Sequence, residues 1–202
     1  EAPAVAPFAP ARGLRSRPQA ASRVPAAHSN RKDTRGASVI HLVSGDILLS
    51  TSRAVAHGVA PGDHFDSGLA LALRERWPAM ARDFRHHCQV SHPKPGDLWV
   101  WSGADGVRIV NLITQEEAPA HHARPGRATA AHVNHALRKL RSFVESEKIA
   151  SLALPRLATG VGGLDWNEVR PLIERHLGDL EIPVSVYESY QPGVAAREPS
   201  VG

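Results

Sequence analysis

Residues 62 to 68 read GDHFDSG and put two carboxylates and an imidazole, Asp63, His64 and Asp66, within four positions. Such a group could take a proton from water and direct it at an electrophilic centre, and histidine suits the task because its unperturbed pKa lies near neutrality. The same residues have a plainer use, with Asp66 capping a helix and Asp63 and His64 on an exposed turn. His57 ends the stretch AVAH, where it could orient a substrate hydroxyl or sit half-buried against a polar neighbour.

A second stretch, ATGVGG, holds Ala158, Thr159, Gly160, Val161, Gly162 and Gly163. Glycines tolerate positive φ and let successive backbone N–H groups face one point, the arrangement that cradles phosphate oxygens. No Gly-Lys-Ser/Thr follows, and the spacing is not GxGxxG, so neither common nucleotide loop is present. A strand-to-helix turn can also need glycines for geometry alone. Asp46, in VSGDI, could accept from an exocyclic amine or cap a turn. Tyr187 and Tyr190, in VYESY, offer flat faces to a purine or to the core.

These residues need a frame. VIHLV and AVAH read as strands, separated by SGDILLSTSR with turn chemistry. In SGLALALRERW, Leu69, Leu73 and Trp77 share a stripe, with Asp66 or Ser67 as cap, and Pro78 opens a second helix carrying Met80, Phe84 and Cys88. LWVW and VRIVNLI form a hairpin across GADG. Val133, Leu137, Leu140 and Val144 mark a long helix, SLALP a buried strand, Asp165 and Glu168 the start of another helix, and VSVYE a last strand. Alternating strands and helices with one hairpin imply a mixed sheet covered on both faces.

The chain has 202 residues, 42% hydrophobic and 22% charged, in the range of a globular domain. No apolar run approaches the roughly 20 residues of a membrane helix. The net charge of +4 is unevenly placed: residues 1–37 carry seven basic and two acidic residues, leaving 17 basic and 18 acidic in the rest. Basicity thus says little about the folded part's ligand. Residues 1–37 are rich in Ala, Pro and Arg and are expected to be a disordered extension, with weak nucleic-acid binding or a targeting role, though without the apolar run of a secretion signal, as alternatives. Residues 191–202 are expected to be a flexible tail, leaving 38–190 as the domain. One cysteine, Cys88, excludes an internal disulfide and points to a reducing cytoplasm. The pairs His86/His87, His121/His122 and His132/His135 lack the partners of a zinc site, so no metal is expected.

VSGDI, AVAH followed by SGLALAL, ARDF, VNLIT and PRLATGVGGLDWNEVRPLIE together resemble the macrodomain, from about Val39 to Tyr187. The pattern is most similar to the branch of terminal ADP-ribose protein glycohydrolases, DarG antitoxins and yeast-type ADP-ribose-1″-phosphate phosphatase. The resemblance implies a three-layer α/β/α fold with a central mixed β-sheet. It implies that Asp46 and the backbone at Ile47 read adenine, that Ala158–Gly163 wrap the diphosphate, and that loop 58–68, with Gly68, holds the distal ribose. His57 would stand under the distal ribose, as a histidine does in the glycohydrolase and phosphatase branch. No cofactor is implied.

Three departures bear on chemistry. In the first loop the family usually shows glycines where this chain has HFDSG, so Asp66 and His64, with His57, are the candidate proton-handling groups. Glycohydrolase and DarG-like members carry a lysine after the strand matching VNLIT, where this chain has Gln115, Glu116 and Glu117. The glycohydrolase's loop aspartate, four positions before the tryptophan, falls on Gly162, and Asp165 stands one position before Trp166. The expectation is a hydrolase working by water-mediated attack, on ADP-ribose-1″-phosphate or on ADP-ribose joined to protein or nucleic acid. The competing expectation is a reader that binds ADP-ribose without turnover.

Overall fold

The computed structural model describes residues 39–120 and 123–199, so the expected extension at 1–37 lies outside the described residues. Six strands, β1 (Ile40–Gly45), β2 (Ala54–Val59), β3 (Leu98–Ser102), β4 (Arg108–Ile113), β5 (Leu152–Pro155) and β6 (Val184–Tyr190), form one sheet in the order β1-β6-β5-β2-β4-β3. All neighbours run parallel except β3 and β4, the expected hairpin.

Four helices cover the sheet: α1 (Gly68–Arg76), α2 (Pro78–Ser91), α3 (Ala130–Ser146) and α4 (Trp166–Leu177). Each follows from its stripe. Val133, Leu137, Leu140 and Val144 of α3 and Val169, Ile173 and Leu177 of α4 pack with Ala54, Ala56, Val110 and Leu154 on one face. Met80, Phe84 and Cys88 of α2 and Leu73 of α1 pack with Val55, Val59, Ile109 and Ile113 on the other. The alternation of Val55 with Ala56 between faces is the period of two that a strand imposes. The result is the three-layer α/β/α arrangement expected. Among the described residues no helix is long and apolar enough to cross a membrane.

Helix starts follow their caps. Thr129 accepts from the His132 N–H at 3.1 Å, and Asp165 accepts from the Asn167 N–H at 2.7 Å. α1 differs: Ser67 takes the cap position but makes no side-chain bond, and Asp66 pairs with Arg74 instead.

Residues 191–199, within the expected tail, fold back over a 3₁₀ turn, Ile47–Leu49, that follows β1. The Gln191 N–H donates to the Gly45 carbonyl at 3.1 Å, and the Asp46 N–H to the Val194 carbonyl at 2.7 Å. Composition predicts order through apolar burial, whereas this segment is held by hydrogen bonds, so its polar sequence concealed it.

Candidate functional site

The strand order locates a crevice. From β5 the chain turns through α4 toward β6, while from β2 it turns through α1 and α2, on the opposite face, toward β3. β2 and β5 are neighbours, so the two connections diverge and leave an opening at the strands' carboxyl ends, where α/β sheets bind ligands. Loop 60–67 leaves β2 there, loop 156–165 leaves β5, and Asp46 follows β1 at the same end.

The 156–165 loop is shaped by two positive φ angles, at Ala158 (+60°) and Gly163 (+73°). Leu164 N–H donates to the Ala158 carbonyl and Gly163 N–H to the Gly160 carbonyl, both at 3.1 Å, and the Thr159 hydroxyl donates to the Arg156 carbonyl at 2.7 Å. That leaves the N–H groups of Gly160, Val161 and Gly162 without a hydrogen bond among the described residues. Gly162 is required by space, since a Cβ there would lie 2.6 Å from the Ala158 carbonyl oxygen, whereas a Cβ at Gly160 would meet nothing within 4 Å. Val161 is half-exposed beside them. Three unpaired donors next to a helix N-terminus suit an anion. Two arginines flank them: Arg127 donates to the Gly163 carbonyl at 3.3 Å, and Arg156 lies 5.3 Å over the Trp166 ring. Sequence reasoning missed Arg127, because only the fold brings it across 36 residues.

At β2 the groups are more constrained. His57 is buried, with Nε2 2.8 Å from Asn111 Oδ1. Asn111 Nδ2 donates to the Trp99 carbonyl at 3.4 Å, which orients the amide so that Nε2 carries the proton. Burial pushes the imidazole pKa down to about 4, against the Asn111 bond that raises it. His57 is therefore neutral near pH 7 and suits orientation better than proton transfer. Asp63 is tied into its own turn, accepting from the Phe65 N–H at 2.7 Å, and Phe65, at φ +57°, plugs the loop into the core. Asp66 projects into solvent with its carboxylate held by Arg74, which also donates to the His64 carbonyl at 3.0 Å. Gly68 takes φ +58° at the start of α1 in open space.

Gln115, the first of the three residues that stand after VNLIT where the resemblance expects a lysine to follow, is buried. Its Nε2 donates to the Gly126 carbonyl at 3.0 Å, stapling the loop that returns to Ala128, whose N–H donates to the Gly162 carbonyl at 3.0 Å.

Asp46 accepts from the Leu48 N–H through Oδ1 and from the Gly193 N–H through Oδ2, both at 3.0 Å. Ile47 is buried beside it. The Tyr187 hydroxyl donates to Glu198 at 3.0 Å, and burial together with that carboxylate pushes its pKa up, while Tyr190 is exposed. Two cavities lie away from the glycine loop. One of about 180 Å³ is bordered by Leu48, Thr51, Trp77 and Val107, and one of about 370 Å³ by His87, Asp97, Lys139 and Ser142. Among the described residues no three His, Cys, Asp or Glu side chains converge as metal ligands.

Comparison with known proteins agrees with this geometry. The Macro domain pattern matches residues 61–173. A DNA ADP-ribosyl glycohydrolase of Mycobacterium tuberculosis is 30% identical over 129 residues, 62% of this chain and 35% of that protein. The human ADP-ribose glycohydrolase OARD1 is 23% identical over 162 residues, 80% of this chain and 98% of that protein. The macrodomain of Thermus aquaticus DarG superposes with a TM-score of 0.63 at 27% identity, covering 76% of this chain and 98% of that one. The chain spans less than half the length of the DNA ADP-ribosyl glycohydrolases it matches, 35 to 41%. On its sheet order, its glycine loop and the matched residues, the chain belongs to the Macro domain family.

Proposed function

We propose that this macrodomain binds ADP-ribose and hydrolyses a bond at its distal ribose. The observation that carries the reading is the set of three N–H groups, at Gly160, Val161 and Gly162, without a hydrogen bond among the described residues, in the loop that leaves the carboxyl end of β5 beside β2. In this reading Ala158–Gly163 hold the diphosphate, Asp46, Ile47 and Tyr187 the adenosine end, and Gly68 with its loop the distal ribose. Asp66, exposed and anchored by Arg74, takes a proton from water as the water oxygen bonds to phosphorus or to the anomeric carbon. The bond to the leaving group breaks, and the proton passes to that group. His57 orients rather than titrates, and His64 flanks the carboxylate. Relatives named as ADP-ribosyl glycohydrolases support the hydrolase class. The basic stretch 1–37 adds weak, sequence-independent contact with nucleic acid. The single cysteine supports a reducing cytoplasm as its setting.

A reader without turnover is favoured by one observation, the fixed Gln115 amide where the resemblance expects a lysine. The two are separated by phosphate release from ADP-ribose-1″-phosphate and ADP-ribose release from an ADP-ribosylated oligonucleotide. The wild-type chain should turn over one of them, and Asp66→Ala should lower kcat about 100-fold while leaving ADP-ribose affinity unchanged. Binding without turnover of either substrate leaves the reader.

A further inference from the structure

Residues 191–199 engage the groups assigned above to the adenosine end. Gly193 N–H occupies Asp46 Oδ2, the Val194 carbonyl takes the Asp46 N–H, and Glu198 takes the Tyr187 hydroxyl. Glu198 is the anchor: it also accepts from Ser50 Oγ at 2.6 Å, the Thr51 N–H at 2.8 Å, Thr51 Oγ1 at 3.0 Å and Ser52 Oγ at 3.2 Å. The seat is cut for the segment, since a Cβ at Gly45 would lie 2.8 Å from both the Val194 carbonyl oxygen and the Ala196 nitrogen. Apolar burial contributes little, with Val194 49% exposed and Ala196 alone packed on the core. The segment is held by polar contacts, several of them part-buried and most of them converging on one carboxylate, with little apolar burial, and few buried apolar contacts are the mark of the parts of a fold that open locally.

We propose that residues 191–199 form a displaceable strap that competes with the nucleoside base for Asp46 and Tyr187, making ADP-ribose affinity depend on strap release. This rests on the assignment of those two residues to the base. With Leu48 N–H on Oδ1 and Gly193 N–H on Oδ2, both Asp46 oxygens already accept a hydrogen bond, so an exocyclic amine would compete with the strap for that carboxylate. A ligand whose site is open only part of the time binds more weakly by that fraction, so a strap closed about nine-tenths of the time weakens binding about tenfold.

The test is calorimetric titration of ADP-ribose into the full chain and into two variants that free the strap by different routes. Glu198→Ala removes the anchor. Gly193→Pro removes the donor to Asp46 and cannot adopt the φ of +70° found there. Limited proteolysis within 191–199 reads release directly, and thermal unfolding checks that the domain persists. Released, folded variants should bind about tenfold tighter. Equal or weaker binding by a released strap overturns the proposal and makes the segment a wall of the site. Absence of ADP-ribose binding in all three chains instead overturns the functional reading on which it rests.

Discussion

His57 shows how one buried side chain sets a pH dependence. Its folded pKa, about 4, lies below the unfolded value near 6.5, so the unfolded chain binds a proton that the folded chain refuses across that window. Stability is therefore full above pH 6.5 and falls as pH drops toward 4, by about 2 kcal/mol at pH 5. Urea unfolding of wild type and His57→Gln at pH 7 and pH 5 should show that excess loss in the wild type alone. Equal losses would place the imidazole in contact with water. At this scale the sequence was only partly readable. The histidine at the end of AVAH was visible as a candidate, yet its partner Asn111 sits 54 residues away on the adjacent strand, and nothing local announces the pairing. Asp66 was equally visible, but its pairing with Arg74 rather than the helix start depended on how α1 begins.

Between β5 and α4 the glycines divide into two kinds, and substitution should separate them. Gly162→Ala pushes a methyl into the Ala158 carbonyl and should lower Tm by several degrees, roughly the effect of 1–2 kcal/mol. Gly160→Ala meets open space, so Tm should hold while ADP-ribose affinity falls, because the methyl projects beside the unpaired donors. A calorimetric titration with a thermal melt on each variant checks the contrast, and weak binding with low Tm in both would make the loop structural only. Elements were the most legible level. The long helices showed through their 3.6-residue stripes, whereas the central strands, buried on both faces between two clusters, showed as short apolar runs bounded by turn residues, and α4 through its cap at Asp165. The exception was the segment after β6, where hydrogen bonds to Glu198 replace apolar contact and leave no periodic trace.

Taken whole, the chain separates charge from fold. Seven basic and two acidic residues fall within 1–37, and the remaining 165 residues are close to neutral. Retention on DNA should therefore come from 1–37 and fall on the order of 10³-fold between 50 and 200 mM salt. Removing residues 1–37 should abolish it without changing ADP-ribose affinity. Retention that survives the deletion would move the contact to the folded domain. Topology was legible as a class but not as an order, because alternation of elements fixes layers, whereas the neighbours of β1 depend on contacts across the entire chain.

That order has a consequence in time. Among the described residues β1 pairs only with β6, so residues 40–45 have no partner strand there until residues 184–190 exist. On a ribosome the 60–67 loop is synthesised long before that moment and the glycine loop shortly before it. Asp46 waits for both β6 and the strap that follows, about 140 residues later, and a long closure of this kind is slow as well as late. The Asp46 end of the sheet is thus completed after both of those loops, and it is completed together with the segment that covers it.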